Sequence, residues 1–223
     1  MTCALILPCR DEAAALVELL PRIPDGFDVI VVDNGSSDGT AEVAAALGAR
    51  VVHEPAAGYG SAVHAGVVAA DREYLAVMDG DGSLDPLALI ALLEEVVSGR
   101  ATMAVGRRRP VARGVWPWHA RLGNRLVLAL MQRQLAREAP GGLPFRDIAP
   151  IRVCRRDDLL ALDLQDRRFG YPVELLQKAL RAGWSITELD VDYGRRARGT
   201  RSKVSGSVTG TARTARDFWR VLA

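Results

Sequence analysis

The stretch YLAVMDGDGSLDP, residues 74–86, decides how the chain is read. Its first five residues are mostly apolar and have the length of a buried strand. Directly after them come Asp79, Gly80, Asp81 and Gly82, and then Asp85. Asp, Gly, Ser and Pro are ordinary turn residues, so a plain turn is one reading. The other is a strand end that presents Asp79 and Asp81 to a divalent cation, which takes hard oxygen ligands. This stretch alone leaves both open, and the rest of the chain has to separate them.

The same alternation runs on either side of it. CALILP (3–8), FDVIVVD (27–33), ARVVHE (49–54), EYLAVMD (73–79) and ATMAVG (101–106) read as short buried strands. The first four lead into stretches of helical spacing: EAAALVELL (12–20), TAEVAAALG (40–48), GYGSAVHAGVVAA (58–70) and PLALIALLEEVVSG (86–99). Apolar strands separated by helices predict an α/β fold with a mainly parallel, helix-covered sheet. Ligands of such sheets collect outside the carboxyl ends of the strands. Pro8, Asp33 and Asp79 all fall at that edge.

The second half is less regular. Residues 107–137 begin as a basic loop and become an arginine-studded amphipathic helix near 119–136. A strand is expected in IAPIRVCR (148–155), a helix in YPVELLQKALRAG (171–183) and a strand in WSITELDVDY (184–193). A basic loop (194–210) and a closing helix (211–223) complete the chain. At 223 residues this fits one domain over 1–204, with halves 1–106 and 107–204, followed by a helical tail, 205–223.

Composition narrows the class. No apolar run has the length of a membrane span. The N-terminal MTCALILPCRDE is too short in its apolar part, and too acidic after it, for a secretion signal. Three cysteines without ligand spacing point to a reduced, cytoplasmic protein. The net charge of +2 conceals an asymmetry: residues 1–105 carry 5 Arg against 16 acids, a net of −11, and residues 106–223 carry 24 Lys and Arg against 11 acids, a net of +13. An acidic half beside a basic half suggests a cation site and an anionic partner.

Weighed singly, the motifs are modest. In VIVVDNGSSDGT (29–40), Asp38 or Thr40 suits a helix cap, while Asp33 ends a strand where a carboxylate can accept from a ribose or base. GYGSAVHAG (58–66) carries a glycine pair before a helix, but it lacks the third glycine of a dinucleotide fingerprint and follows the wrong strand. His53, His64 and His119 form no ligand pair. Trp116 and Trp118 suit either a core or a membrane interface beside Arg113 and Arg121.

In order, however, the motifs resemble those of family-2 glycosyltransferases of the A-type nucleotide-sugar fold, and among them the polyprenol-phosphate (dolichol-phosphate) sugar transferases. The resemblance is carried by ILPCRDE, VVDNGSSDGT, GYGSAVHAG, VMDGDGSLDP, VGRRR, RLGNRL, DIAPIRVCRRD, FGYPVELLQKALRAGWSITELDVDY and RARGTRSKV, which together span nearly residues 3–204. It implies a Rossmann-like fold, a hexose donor linked to UDP or GDP, and inversion at the anomeric carbon. It places Pro8, Arg10, Glu12, Asp33 and Asn34 around the nucleoside, and Gly58 and Gly60 near the donor. Asp79 and Asp81 hold the diphosphate and its Mg²⁺ or Mn²⁺, and Glu174 faces the donor sugar or metal. Arg198, Ser202 and Lys203 belong to a loop that closes on phosphate, and Arg107, Arg121 and Arg125 meet an acceptor phosphate. Three positions depart from the pattern: Arg10 stands for Asn, Asn34 for the second Asp, and Ser83 for a metal-binding Gln. Asp85 or water then completes the metal site.

The implied acceptor is a polyprenyl phosphate, whose oxygen is already ionised and needs no strong base. A soluble hydroxyl acceptor would need one, with Glu174 the first candidate. Residues 113–125 and DFWRVL (217–222) are expected to rest peripherally on an anionic, cytoplasmic membrane face. A nucleic-acid-binding module is disfavoured, because stacking aromatics in a strand pattern are missing.

Overall fold

Seven strands form one sheet in the order β3-β2-β1-β4-β6-β5-β7. The computed structural model describes residues 2–197, 216–218 and 220–222. The strands are β1 Cys3–Cys9, β2 Phe27–Asp33, β3 Arg50–His53, β4 Tyr74–Met78, β5 Met103–Pro110, β6 Ile151–Arg155 and β7 Ile186–Tyr193. The helices are α1 Ala13–Leu19, α2 Thr40–Ala46, α3 Tyr59–Ala69, α4 Ala88–Val97, α5 Trp118–Gln134, α6 Arg156–Ala161 and α7 Tyr171–Arg181. Strands β1 to β4 pair in parallel. β6 runs antiparallel between β4 and β5, and β7 returns parallel to β5. The mainly parallel, helix-covered sheet expected from the sequence is therefore present, with one reversed strand at its middle.

Two apolar clusters cover the two faces. Ile6, Val32, Val77 and Val105 point to one, shared with α3, α5 and α7. Leu5, Val31, Ala76 and Ala104 point to the other, shared with α1 and α4. Alternate residues of continuously apolar strands thus serve opposite faces, as the two-residue period requires.

The described part of the chain's end, residues 216–218 and 220–222, is helical. Phe218, Val221 and Leu222 join the α3/α5/α7 cluster, and the Leu222 carbonyl accepts from the Gln134 side chain. The expectation that DFWRVL lies on a membrane is corrected here: these apolar side chains close the core. Among the described residues no helix is long and apolar enough to cross a membrane.

Candidate active site

Strand register brings the predicted carboxylates to one edge. Cys9 pairs with Asp33, and Ile6 pairs with Val77, so Asp79 leaves β4 level with Pro8. The alternation of Asp and Gly after β4 has a backbone reason. A Cβ on Gly80 would lie 2.5 Å from the Cys9 Sγ, so only glycine lets this exit pass the end of β1. Gly82 has φ +74°, the left-handed region that favours glycine. The turn between them buries Asp81, which is 3% exposed. The turn reading and the ligand reading of DGDG are thus both right, and the turn is what aims the carboxylates.

Asp81 Oδ1 accepts from the Ser83 amide at 2.9 Å, and its Oδ2 lies 3.0 Å from Arg196 Nη1. The Arg196 segment is clamped beside it: the Ala197 amide donates to the Asp81 carbonyl at 3.1 Å and the Gly194 amide to the Ser83 carbonyl at 2.7 Å. Burial pulls the Arg196 pKa down, but the negative charge of Asp81 and Asp79 outweighs it and raises the pKa overall. Burial and the neighbouring Asp81 push the Asp79 carboxyl up to about 6, against Arg196, Arg152 and Arg108. Two crowded carboxylates of this kind fit a divalent cation. Among the described residues no third His, Cys, Asp or Glu completes a protein cage. Asp79 and Asp81 therefore suit a cation whose other positions are filled by phosphate oxygens and water. Asp85 does not join them; its Oδ1 lies 3.3 Å from Arg22 Nη2 and accepts from the Leu87 amide.

The loops after β1 and β2 are laced together. Asp11 Oδ1 accepts from the Ser37 amide at 2.8 Å, and the Asp11 amide donates to Ser36 Oγ at 2.9 Å. Thr40 Oγ1 accepts from the Glu12 amide and Asp38 Oδ2 from the Ala13 amide. Asp38 Oδ1 also accepts from the Thr40 amide, so SSDGT caps α1 as well as its own helix. Asp33 accepts from the Ser36 amide at 3.0 Å and lies 3.4 Å from His53 Nδ1. Arg10 is exposed at this edge, Pro8 is half-buried and Glu12 is buried.

Four of the expected site positions also have partners that the sequence does not show. Asn34 donates to the Glu54 and Ala56 carbonyls at 2.8 and 2.9 Å, and its Oδ1 accepts from the Gly58 amide at 2.8 Å. Its amide holds the 54–58 loop, and an aspartate could not make the two donations. Gly58 and Gly60, expected near the donor, also pack against the backbone of a distant loop. A Cβ on Gly58 would strike the Arg167 carbonyl, and one on Gly60 would lie 2.6 Å from the Asp166 carbonyl. Glu174 is a carboxylate with its oxygens engaged: the Gln165 and Asp166 amides donate to it at 2.7–3.0 Å, and Lys178 Nζ lies at 3.0 Å. Although burial opposes them, these donors lower its pKa. It faces the 165–168 loop, whose carbonyls receive the Gly60 and Ser61 amides.

Among the basic residues, Arg107 is neutralised by Asp190, with Nε at 2.6 Å, and lies 3.7 Å from Glu188. Arg108 instead forms a two-pronged pair with buried Asp147, at 2.8 and 2.6 Å, with its guanidinium 4.2 Å from the Trp116 ring centre. Arg121 and Arg125 are exposed on α5. Arg198, Ser202 and Lys203 lie outside the described residues.

Sequence reasoning passed over Arg108, Arg196 and Arg152. Arg152 sits on β6 opposite Val77, 2% exposed, with Nη2 2.5 Å from the Tyr59 hydroxyl and rings of Tyr59 and Tyr171 around it. Its Nε and Nη1 are buried without a hydrogen-bond partner. An arginine inside the buried run IRVCR was the available signal, since a cation is rarely placed there without a role. Nothing local distinguishes Arg108 from Arg107 or marks Arg196 in its basic loop.

A sheet of this order, with paired carboxylates at the exit of its fourth strand, is the architecture expected above of the A-type nucleotide-sugar fold. The sequence places it further: residues 4–160 match the family Glycosyl transferase family 2, and the chain belongs to that family. It is 51% identical to an uncharacterised glycosyltransferase of Mycobacterium tuberculosis (strain H37Rv), over 98% of this chain and 96% of that one. It is 32% identical to the undecaprenyl-phosphate mannosyltransferase of Micrococcus luteus, over 98% and 93%. Its fold matches that of glucosyl-3-phosphoglycerate synthase from Mycobacterium tuberculosis, crystallised with Mn²⁺, UDP and glucosyl-3-phosphoglycerate. There the TM-score is 0.76 and identity 23%, over 99% of this chain and 78% of that one.

Proposed function

We propose that this glycosyltransferase moves a hexose from a UDP- or GDP-linked donor to a polyprenyl phosphate, with inversion and with a divalent metal. The observation that carries the reading is the pair Asp79 and Asp81 at the β4 exit, crowded, half-buried and buried respectively, and without a third ligating carboxylate among the described residues. Asp79 and Asp81 would hold Mg²⁺ or Mn²⁺, which supplies Lewis-acid stabilisation to the departing diphosphate. Asp33, at the end of β2, is the candidate for the ribose or base, and Arg10, Glu12 and Pro8 border the same edge. In the transfer, an acceptor phosphate oxygen forms the new bond to the anomeric carbon as the bond to the diphosphate breaks, and the nucleoside diphosphate leaves with the electron pair.

The state of Glu174 favours a phosphate acceptor over a hydroxyl. A base must have an oxygen free for the proton it takes, and it works best with a pKa near the operating pH. Glu174 has a lowered pKa and oxygens already bound to backbone amides and Lys178. A phosphate oxygen requires no such base, and positioning then supplies much of the rate. Glu174 is accordingly a positioning residue, holding the 165–168 loop against the start of α3.

The test is transfer from radiolabelled UDP- and GDP-hexoses to detergent-dispersed polyprenyl phosphate, with a phosphate-free polyprenol and a sugar alcohol in parallel. The reading expects label in the phosphate lipid alone, abolished by EDTA, with the opposite anomeric configuration from the donor. Transfer to the hydroxyl acceptors alone would overturn it.

A further inference from the structure

Helix α5, Trp118–Gln134, has two unlike faces. Asn124, Val127 and Met131 are buried against the body of the protein. Trp118, Leu122 and Leu126 are 75%, 47% and 57% exposed. Residues spaced by four form one stripe, and at 3.6 residues per turn this stripe centres about 180° from the buried one. Large apolar side chains aligned this way on an outward face are a marked departure from single scattered ones. The charge around them has one sign. Between residues 111 and 137 the chain has Arg113, Arg121, Arg125, Arg133 and Arg137 and no Asp or Glu. All five are exposed, and none forms an ion pair among the described residues. By contrast, Arg107, Arg108 and Arg109, just upstream, are all paired with Asp190 or Asp147.

We propose that this face of α5 docks the protein peripherally on an anionic lipid surface. Trp118, Leu122 and Leu126 enter the headgroup boundary, and Arg121 and Arg125 meet lipid phosphates. An apolar stripe flanked by arginines, on a helix lacking acids, matches the chemistry of a surface whose anionic headgroups lie over an apolar interior. The Trp pair is divided by this arrangement. Trp116 turns inward to Arg108 and lies edge-on to Tyr193, with ring centres 6.3 Å apart, while Trp118 turns outward. The buried face ties the helix to the candidate site. Asn124 donates to the Arg146 carbonyl at 3.2 Å and accepts from the Ile148 amide at 3.1 Å, bracketing Asp147, which holds Arg108. The inference deepens the lipid-phosphate reading and rests on it for the sense of the orientation: the helix that meets the lipid also braces the basic side of the site.

The test is co-sedimentation of the whole chain with vesicles of mixed phosphatidylglycerol and phosphatidylcholine, and with phosphatidylcholine alone, in the absence of polyprenyl phosphate. The wild type is expected to sediment with the anionic vesicles and to be released by high salt. Leu122→Ser/Leu126→Ser should weaken that binding by about tenfold or more. Brominated lipid should quench the wild type more than Trp118→Phe, a comparison that holds even if the double variant folds poorly. Three results overturn the proposal: no binding to anionic vesicles, binding that the double variant retains in full, or a dimer of the wild type that the double variant dissolves with no vesicle binding by either. The acceptor reading fails separately. Transfer to detergent-dispersed polyprenyl phosphate without vesicle binding removes the docking face and leaves the acceptor. Vesicle binding without such transfer does the reverse.

Discussion

At the scale of single residues, the carboxylates at the β4 exit and the amide at Asn34 do different work. Asp79 and Asp81 are crowded at a strand end, and Arg196 stands against Asp81 at 3.0 Å. A guanidinium in that place competes with an incoming cation for the same oxygen. Arg196→Ala should therefore raise Mn²⁺ affinity measured by calorimetry without nucleotide; an unchanged or lower affinity contradicts the competition. Asn34 holds a loop. In Asn34→Asp the Glu54 and Ala56 carbonyls lose their donors and face a carboxylate, so urea unfolding should show a loss of about 2 kcal/mol. This also explains the departure from a paired aspartate at that position. In the sequence, Asn34 reads as an altered ligand, and only the partner loop reveals that an amide is what the fold needs.

Between elements, the loop at residues 163–168 is the joint that the sequence did not disclose. It receives the Gly60 and Ser61 amides and presses on Gly58 and Gly60, and Glu174 holds it from α7. The glycines and the glutamate were legible as a motif, yet their contacts lie more than a hundred residues apart in the chain for Gly60 and Arg168. Local spacing carries no trace of such a partner. Gly60→Ala would place a Cβ 2.6 Å from the Asp166 carbonyl, and overpacking against backbone should lower stability by about 1–3 kcal/mol in the same urea assay. Glu174 adds a pH signature. Its folded pKa lies below the ordinary value, so its stabilisation is present at neutral pH and is lost as pH falls through the folded pKa. Glu174→Gln should be less stable at neutral pH and should show a shallower loss on acidification below the ordinary glutamate range. Equal acid limbs for both proteins would contradict the assignment.

For the whole molecule, the strand-helix alternation of the first hundred residues was readable because apolar runs and helical spacing are local. The order of the second half was not. IRVCR reads as a buried strand in either direction, and its reversed insertion between β4 and β5 is a non-local pairing. The charge asymmetry was legible as numbers, and the structure resolves it into parts. Arg107 and Arg108 are neutralised in place, Arg196 faces the carboxylates, and the arginines of α5 face outward. The central claim is that Asp79 and Asp81 together hold a cation that holds a nucleoside diphosphate. The most direct measurement is thermal unfolding of wild type and Asp81→Asn with UDP and GDP, each with Mn²⁺ and with EDTA. The wild type should gain about 2.7 kcal/mol with one nucleotide at a hundredfold its dissociation constant, only when Mn²⁺ is present, and Asp81→Asn should lose that gain. Stabilisation that persists in EDTA, or undiminished in Asp81→Asn, would contradict the claim.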